Sequence, residues 1–160
     1  MDIKKAGLQD LDAVEALYGA VCDYLADKPF NPNWRRDIFP AREDAEQYLA
    51  ADGLYIAWED GWAVGSIALT PEADNALCIH EVAVHPDHLR KGVASAMLDF
   101  TAREAARRGG TRLRIYVWEH NVPAIRTYEH KGFVRVGKED IGLGEFGLDW
   151  FYLYEKRLDI

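Results

Sequence analysis

Cysteine is scarce in this sequence. Its 160 residues include only two, Cys22 and Cys78, far apart and in no CxxC arrangement, which excludes a disulfide framework and a cysteine-based zinc site and suits a reducing compartment. Long apolar runs are missing as well. No stretch has the length a bilayer crossing needs, and the opening Met1-Asp2-Ile3-Lys4-Lys5-Ala6-Gly7 is not followed by the apolar core of a secretory signal. A cytoplasmic protein is the expectation. Basic charge is in deficit, with 19 Lys and Arg against 27 Asp and Glu for a net charge of -8. Nucleic acid and membrane partners are therefore disfavoured, and a basic acceptor is favoured. Neither GxxxxGK(S/T) nor GxGxxG after a first strand occurs, so the two commonest nucleotide-binding loops are excluded. His80, His85 and His88 span a strand and a turn with no HxxxH or HExxH spacing, and no metal site is expected.

What is present is ordinary globular chemistry. With 49% hydrophobic and 29% charged residues, the chain suits one core in a single domain over residues 1–160. Repeats, low-complexity tracts and linker-like stretches are absent. A short strand around Ile3 precedes Leu11, Val14, Leu17, Val21 and Leu25, which recur at helical spacing behind Asp10 as N-cap. The prolines of Pro29-Phe30-Asn31-Pro32-Asn33-Trp34 predict a loop. A second helix over Glu43 to Ala51 is expected to end with Gly53 at C′. Leu54–Trp58 and Val64–Leu69 flank Asp60-Gly61, a hairpin signal, and a fourth strand runs from Leu77 to Val84. A helix from Val93 closes at Gly109-Gly110, and Leu113, Ile115 and Val117 alternate as a strand. Pro123 to Lys131 reads as a helix and Phe133–Val136 as a strand. Lys138 to Asp149 reads as a mobile loop or lid, and Trp150 to Glu155 as the last strand. The order predicts an α/β fold with a mixed, mostly antiparallel sheet flanked by helices.

Two segments carry chemistry. In Val82-Ala83-Val84-His85-Pro86-Asp87-His88-Leu89-Arg90-Lys91-Gly92-Val93-Ala94-Ser95 a strand passes through a tight turn into a helix start, whose unpaired N–H groups and partial positive charge suit a pyrophosphate. Arg90 and Lys91 add charge at its mouth. The second segment is Asn121-Val122-Pro123-Ala124-Ile125-Arg126-Thr127-Tyr128-Glu129-His130-Lys131-Gly132-Phe133. Asn121 and Tyr128 stand seven residues apart, two helical turns, and so share a face.

Strand, His-Pro turn, KGxA helix start, strand, and then N-x-x-A-x-x-x-Y-x-x-x-G-F resemble, in this order and spacing, the GCN5-related N-acetyltransferase (GNAT) family. The resemblance implies acetyl-CoA as cosubstrate, held where the parallel fourth and fifth strands splay apart near Val84 and Val117. Main-chain groups of Val82 and Val84, with Ala83 between them, would pair with the pantetheine arm, and a strand-end bulge would aim an N–H at the thioester oxygen. The N–H groups of Arg90, Lys91, Gly92, Val93, Ala94 and Ser95 would hold the pyrophosphate. Asn121, with Ala124 beside it, would fix the cofactor arm, and Tyr128 would protonate the departing thiolate. A homodimer is common in the family.

One position departs from the family pattern: Leu89 stands where the phosphate turn has Gln or Arg. The general base is open among Glu81, ranked first, His80, Glu119 and a water relay. Alternation is expected to send His80 and Glu81 to opposite faces. The resemblance places the amine acceptor, a small molecule or a peptide, between Phe30–Phe39 and Gly142–Gly147, whose aromatics, with Asp140, Glu145 and Asp149 nearby, suit a cation. Trp150–Tyr154 is apolar enough to be either an interface or a buried strand. The functional expectation is an enzyme, an N-acetyltransferase working by direct attack. The alternative is a non-catalytic acyl-CoA sensor of the same fold.

Overall fold

Asp60 and Gly61, both at positive φ, reverse the chain between Leu54–Glu59 (β2) and Trp62–Pro71 (β3), the two-residue hairpin that Asp-Gly specifies. The structure, a computed structural model, describes residues 1–158. Around this hairpin lie strands Asp2–Lys5 (β1), Ala76–Val84 (β4), Arg112–Trp118 (β5), Val134–Glu139 (β6) and Phe151–Arg157 (β7). The helices are Leu11–Leu25 (α1), Arg42–Ala50 (α2), Val93–Arg107 (α3) and Val122–His130 (α4). The seven strands form one sheet in the order β1-β2-β3-β4-β5-β7-β6. Every pairing is antiparallel except β4 with β5, so the expected mixed α/β architecture is what the chain adopts.

The central strands of the sheet are buried on both faces. Leu54 and Ile56 pack with Leu11, Val14 and Leu17 of α1, whereas Tyr55 and Ala57 pack with Val93, Met97 and Leu98 of α3. Alternation along β2 thus feeds two cores, one under α1 and α2 and one under α3 and α4. The last strand is no free surface. β7 lies between β5 and β6 with Phe151, Leu153 and Tyr154 buried, and β6 is the edge.

Two caps differ from their sequence reading. Asp10 accepts from the Gly7 N–H at 2.8 Å and gives α1 no side-chain cap. α2 closes with Asp52, not Gly53, in the left-handed position. The Asp52 N–H donates to the Leu49 carbonyl at 3.0 Å and the Gly53 N–H to the Tyr48 carbonyl at 2.9 Å, which completes a Schellman closure. Gly53 answers a different need: a Cβ there would run into the backbone carbonyl of Leu69 on β3.

The feature that organises the site is in β4. Ala76–Ile79 pair in parallel with Arg112–Ile115, and the ladder stops there. From His80 onward β4 keeps only β3, and Tyr116–Trp118 keep only β7, so the two parallel strands part and leave a gap. At the parting point β4 carries one residue too many. His80 lies opposite Ala68 and Ala83 opposite Ser66, so Glu81 and Val82 together face Ile67. Glu81 sits at φ +48°, a conformation that a non-glycine residue adopts only under constraint. This bulge is mid-strand, not at the strand end, and it changes the phase of the strand. Before it the odd residues Leu77 and Ile79 join the α3 core; after it the even residues Val82 and Val84 do, while Ala83 turns to the α1 core.

Candidate active site

A cavity of about 1080 Å³ occupies the gap, bounded by β4, β5, the turn into α3, α4 and the segment from α1 to α2. Its floor is the change of phase in β4. His80 and Glu81 do not point to opposite faces as simple alternation would have it, because both meet Tyr48 of α2. The Tyr48 hydroxyl donates to Glu81 Oε1 at 3.2 Å, and its ring stacks on His80 with centroids 5.4 Å apart. His80 Nε2 is also 2.8 Å from Thr70 Oγ1, and burial holds its pKa below the usual imidazole range.

Glu81 is the electrostatically unusual group. Burial first, then the neighbouring Asp44 carboxylate, push its pKa up to about 8, against the opposing pull of the Tyr48 hydrogen bond. Its Oε2 is buried with no hydrogen-bond partner among the described residues. A buried carboxyl poised near neutrality with an unused acceptor atom is suited to take a proton.

Across the gap the chain makes a second chemical surface. The His85 imidazole accepts from the Asp87 N–H at 3.1 Å and braces the Pro86–His88 turn. Arg90 and then Gly92 adopt positive φ, +62° and +82°, and α3 starts at Val93 with no side chain capping it. The N–H groups of its first turn are therefore left for a ligand, and no side chain lies where a Cβ on Gly92 would stand. Arg90, Gly92, Val93, Ala94 and Ser95 all line the cavity, as does Leu89. From α4, Asn121, Ala124 and Tyr128 line it together, as two-turn spacing requires. Tyr128 is only 7% exposed, and burial alone drives its pKa up, so the phenol keeps its proton at neutral pH.

Among the described residues no group of three or more His, Cys, Asp or Glu could hold a metal ion, and no helix is long and apolar enough to cross a membrane. The sequence profile of the acetyltransferase (GNAT) family matches residues 20–133. The chain belongs to the GNAT acetyltransferase family. It is 30% identical over 111 residues to a mycothiol acetyltransferase of Thermomonospora curvata, a match over 69% of this chain and 37% of that protein. It is 29% identical over 120 residues to the streptothricin acetyltransferase of Escherichia coli, over 71% of this chain and 67% of that one. The chain thus spans well under half of the mycothiol acetyltransferase it matches. Among solved structures, the Brucella melitensis ribosomal-protein-alanine N-acetyltransferase superposes with a TM-score of 0.79 at 20% identity, over 99% of this chain and 100% of that one. The Salmonella typhimurium protein yncA, solved with acetyl-CoA, gives 0.78 at 19% identity, over 100% and 95%.

Not every residue of the GNAT expectation lines the cavity. Lys91 does not, and the Ala83 side chain is fully buried toward α1, although the contacts expected of both are main-chain ones. Glu119 lies outside the cavity and is engaged by His120 at 3.3 Å and Lys138 at 3.4 Å. In the segment after β6 the lining side chains are the apolar Ile141, Leu143 and Leu148; Asp140, Glu145, Phe146 and Asp149 do not line it. β6 runs on to Glu139, which shortens the expected lid. Tyr24, Asp44 and Tyr48 line the cavity and were not singled out in the sequence. The usable signal was the spacing of Asp44 and Tyr48, four apart on a short helix whose buried residue is Ala45.

Proposed function

We propose that this protein transfers the acetyl group of acetyl-CoA to a primary amine by direct attack in a ternary complex. The observation that carries the reading is one cavity bringing a buried proton acceptor, Glu81, together with a buried proton donor, Tyr128, beside an uncapped helix start. In this reading the α3 first turn, from Gly92 to Ser95, holds the pyrophosphate, with Arg90 adding charge. The β5-facing edge of Val82–Val84, left without a ladder partner, pairs with the pantetheine arm, and Asn121 and Ala124 wall it. The fit is supported by the room in the gap and by the open side of Gly92.

The chemistry then follows from position. As the amine nitrogen bonds to the acetyl carbon, its proton passes to Glu81; as the carbon–sulfur bond breaks, Tyr128 donates its proton to sulfur. A backbone N–H at the bulge polarises the carbonyl oxygen. Thermal unfolding with acetyl-CoA, free CoA and NAD tests the coenzyme. At one hundred times its dissociation constant a ligand stabilises by about 2.7 kcal/mol, a shift of roughly 5–10 °C for a domain this size. Stabilisation by acetyl-CoA and CoA and not by NAD is expected, and none with either coenzyme overturns the site. Thiol release in the presence of amines separates the enzyme from a binding-only sensor.

Tyr48 tunes Glu81, and the sign of its effect is fixed by the hydrogen bond it donates. Tyr48→Phe removes a contact that favours the carboxylate, so the Glu81 pKa rises and the rising limb of kcat/KM moves to higher pH. Loss of a bond worth about 1 kcal/mol lowers the rate near pH 7 by several-fold and leaves the rate well above pH 9 close to wild type. A uniform drop at every pH would show that Tyr48 only packs.

A further inference from the structure

The cavity has two chemically opposite ends. Every Lys and Arg that lines it among the described residues, namely Arg90, Arg126 and Lys131, belongs to the phosphate turn or to α4 and its C-cap. At the end formed by α1, α2 and the segment between them no Lys or Arg lines the cavity, although Lys28 lies over the Tyr24 ring at 4.6 Å; the lining there is aromatic and apolar, with one carboxylate, Asp44. The aromatic wall comes from Tyr24, Phe30, Trp34 and Phe39, with Trp34 edge-on to Phe39 at a centroid distance of 6.3 Å.

This wall is built before any acceptor arrives. Asn31 grips Trp34 on both sides, accepting from its N–H at 2.8 Å and donating to its carbonyl at 3.1 Å. Arg35 and Phe39 exchange backbone hydrogen bonds at 2.9 and 3.0 Å. Arg36 ties the segment to Asp23 of α1 through two contacts, at 3.0 and 2.8 Å. Across from the wall, Asp44 spends one oxygen on the Ala41 N–H at 2.8 Å, and Glu81 Oε2 has no partner. Further round, Ile141, Leu143 and Leu148 continue the apolar surface.

We propose that the acceptor is a primary amine carried on a compact apolar or aromatic body with no carboxylate near the nitrogen. The inference rests on the acetyl-transfer reading and names its substrate class. The ammonium is drawn to Asp44 and lies against aromatic faces, where a cation gains from the ring quadrupoles. After losing one proton to solvent, the neutral amine faces the unpartnered oxygen of Glu81, which takes the second proton as nitrogen bonds to the acetyl carbon. A carboxylate on the same carbon would lie beside Asp44 with no cavity-lining Lys or Arg at that end to receive it, an unpaired charge in a desolvated pocket. With Asp44 and Glu81, the two carboxylates that line the cavity, engaged by the first amine, a polyamine would leave its second ammonium beside aliphatic side chains such as Ile141, Leu143 and Leu148.

The test is acetylation of four amines at equal concentration, read as kcat/KM from thiol release: 2-phenylethylamine, phenylalanine amide, phenylalanine and spermidine. The first two are expected to exceed the last two by at least about tenfold, the factor that corresponds to about 1.4 kcal/mol. Phenylalanine amide keeps the skeleton of phenylalanine and removes the charge under test; because its amine is also less basic, kcat/KM is compared per neutral amine. Asp44→Asn retains an oxygen to accept from Ala41 and so preserves the start of α2. It is expected to raise KM for 2-phenylethylamine and to narrow the gap to phenylalanine. Preferred turnover of phenylalanine or spermidine, or an Asp44→Asn effect equal on all four amines, overturns the specificity and leaves acetyl transfer standing. Thiol release with none of them, despite stabilisation by acetyl-CoA, overturns both.

Discussion

Replacing Tyr128 by Phe is expected to lower kcat by about 10²–10⁴-fold, the range of a lost general acid, and to leave the thermal shift produced by CoA unchanged. Phe fills the same volume, so the packing of Tyr128 against Phe133, with ring centroids 6.1 Å apart, survives the change. Only the hydroxyl is removed. Burial alone raises its pKa, which means that no charged neighbour competes for its proton. The departing thiolate, a base forming in the same enclosed space, is where that proton would go. Steady-state thiol release and CoA-dependent unfolding, measured on the same sample, separate chemistry from binding. Wild-type turnover in the variant would remove Tyr128 from the mechanism.

Glu81→Gln should make the protein a worse catalyst and, in alkali, a more stable one. The expected loss is again about 10²–10⁴-fold in kcat/KM, with the limb near pH 8 abolished and only the titration of the amine itself, at about pH 10, remaining. Stability moves the other way. The folded state raises the Glu81 pKa from 4.5 to about 8, so it binds this proton more tightly than the unfolded chain does. The stabilisation is therefore complete below pH 4.5 and is lost as pH rises through 8, up to an upper bound of roughly 5 kcal/mol. Glutamine stays neutral and escapes the loss. The variant should melt above wild type at pH 9 and close to it at pH 5, and scans at the two pH values check this. A variant that melts lower at both would mean that Glu81 is a structural acid.

Element order was readable because each signal was local: Asp60-Gly61 for the hairpin, helical spacing in Leu11–Leu25, and the paired motifs from Val82 to Phe133. The turn into α3 and the shared Asn121–Tyr128 face were readable for the same reason, since each lies within one short segment. The bulge was not, because Ile79-His80-Glu81-Val82-Ala83-Val84 has the composition of an unbroken strand. A trace of it exists in the parity. Strict alternation would bury Glu81 on the face of Leu77 and Ile79, and a strand that forces a carboxylate into its own core argues for an extra residue. Asp44 and Tyr48 were missed because their importance is tertiary; α2 brings them to Glu81, 33 residues from Tyr48 along the chain. The acidic residues after β6 misled in the opposite direction, being local to the expected acceptor wall yet turned away from the cavity.

The extra residue in β4 also divides the strand into two stretches with different masters. Ahead of Glu81, the odd positions answer to the α3 core and tolerate what that core tolerates. Behind it, Ala83 is wedged toward α1 at zero exposure, while Val82 and Val84 face the gap. A larger side chain at Ala83 therefore strains the α1 core, whereas the same change one position away reshapes the cavity. Deleting a single residue here would remove no bulky group, yet it would put the rest of the strand out of step. Ala83 and its valine neighbours would exchange faces, and the strand could again lie along β5. The gap between β4 and β5 is thus a matter of counting, maintained by one residue of surplus length.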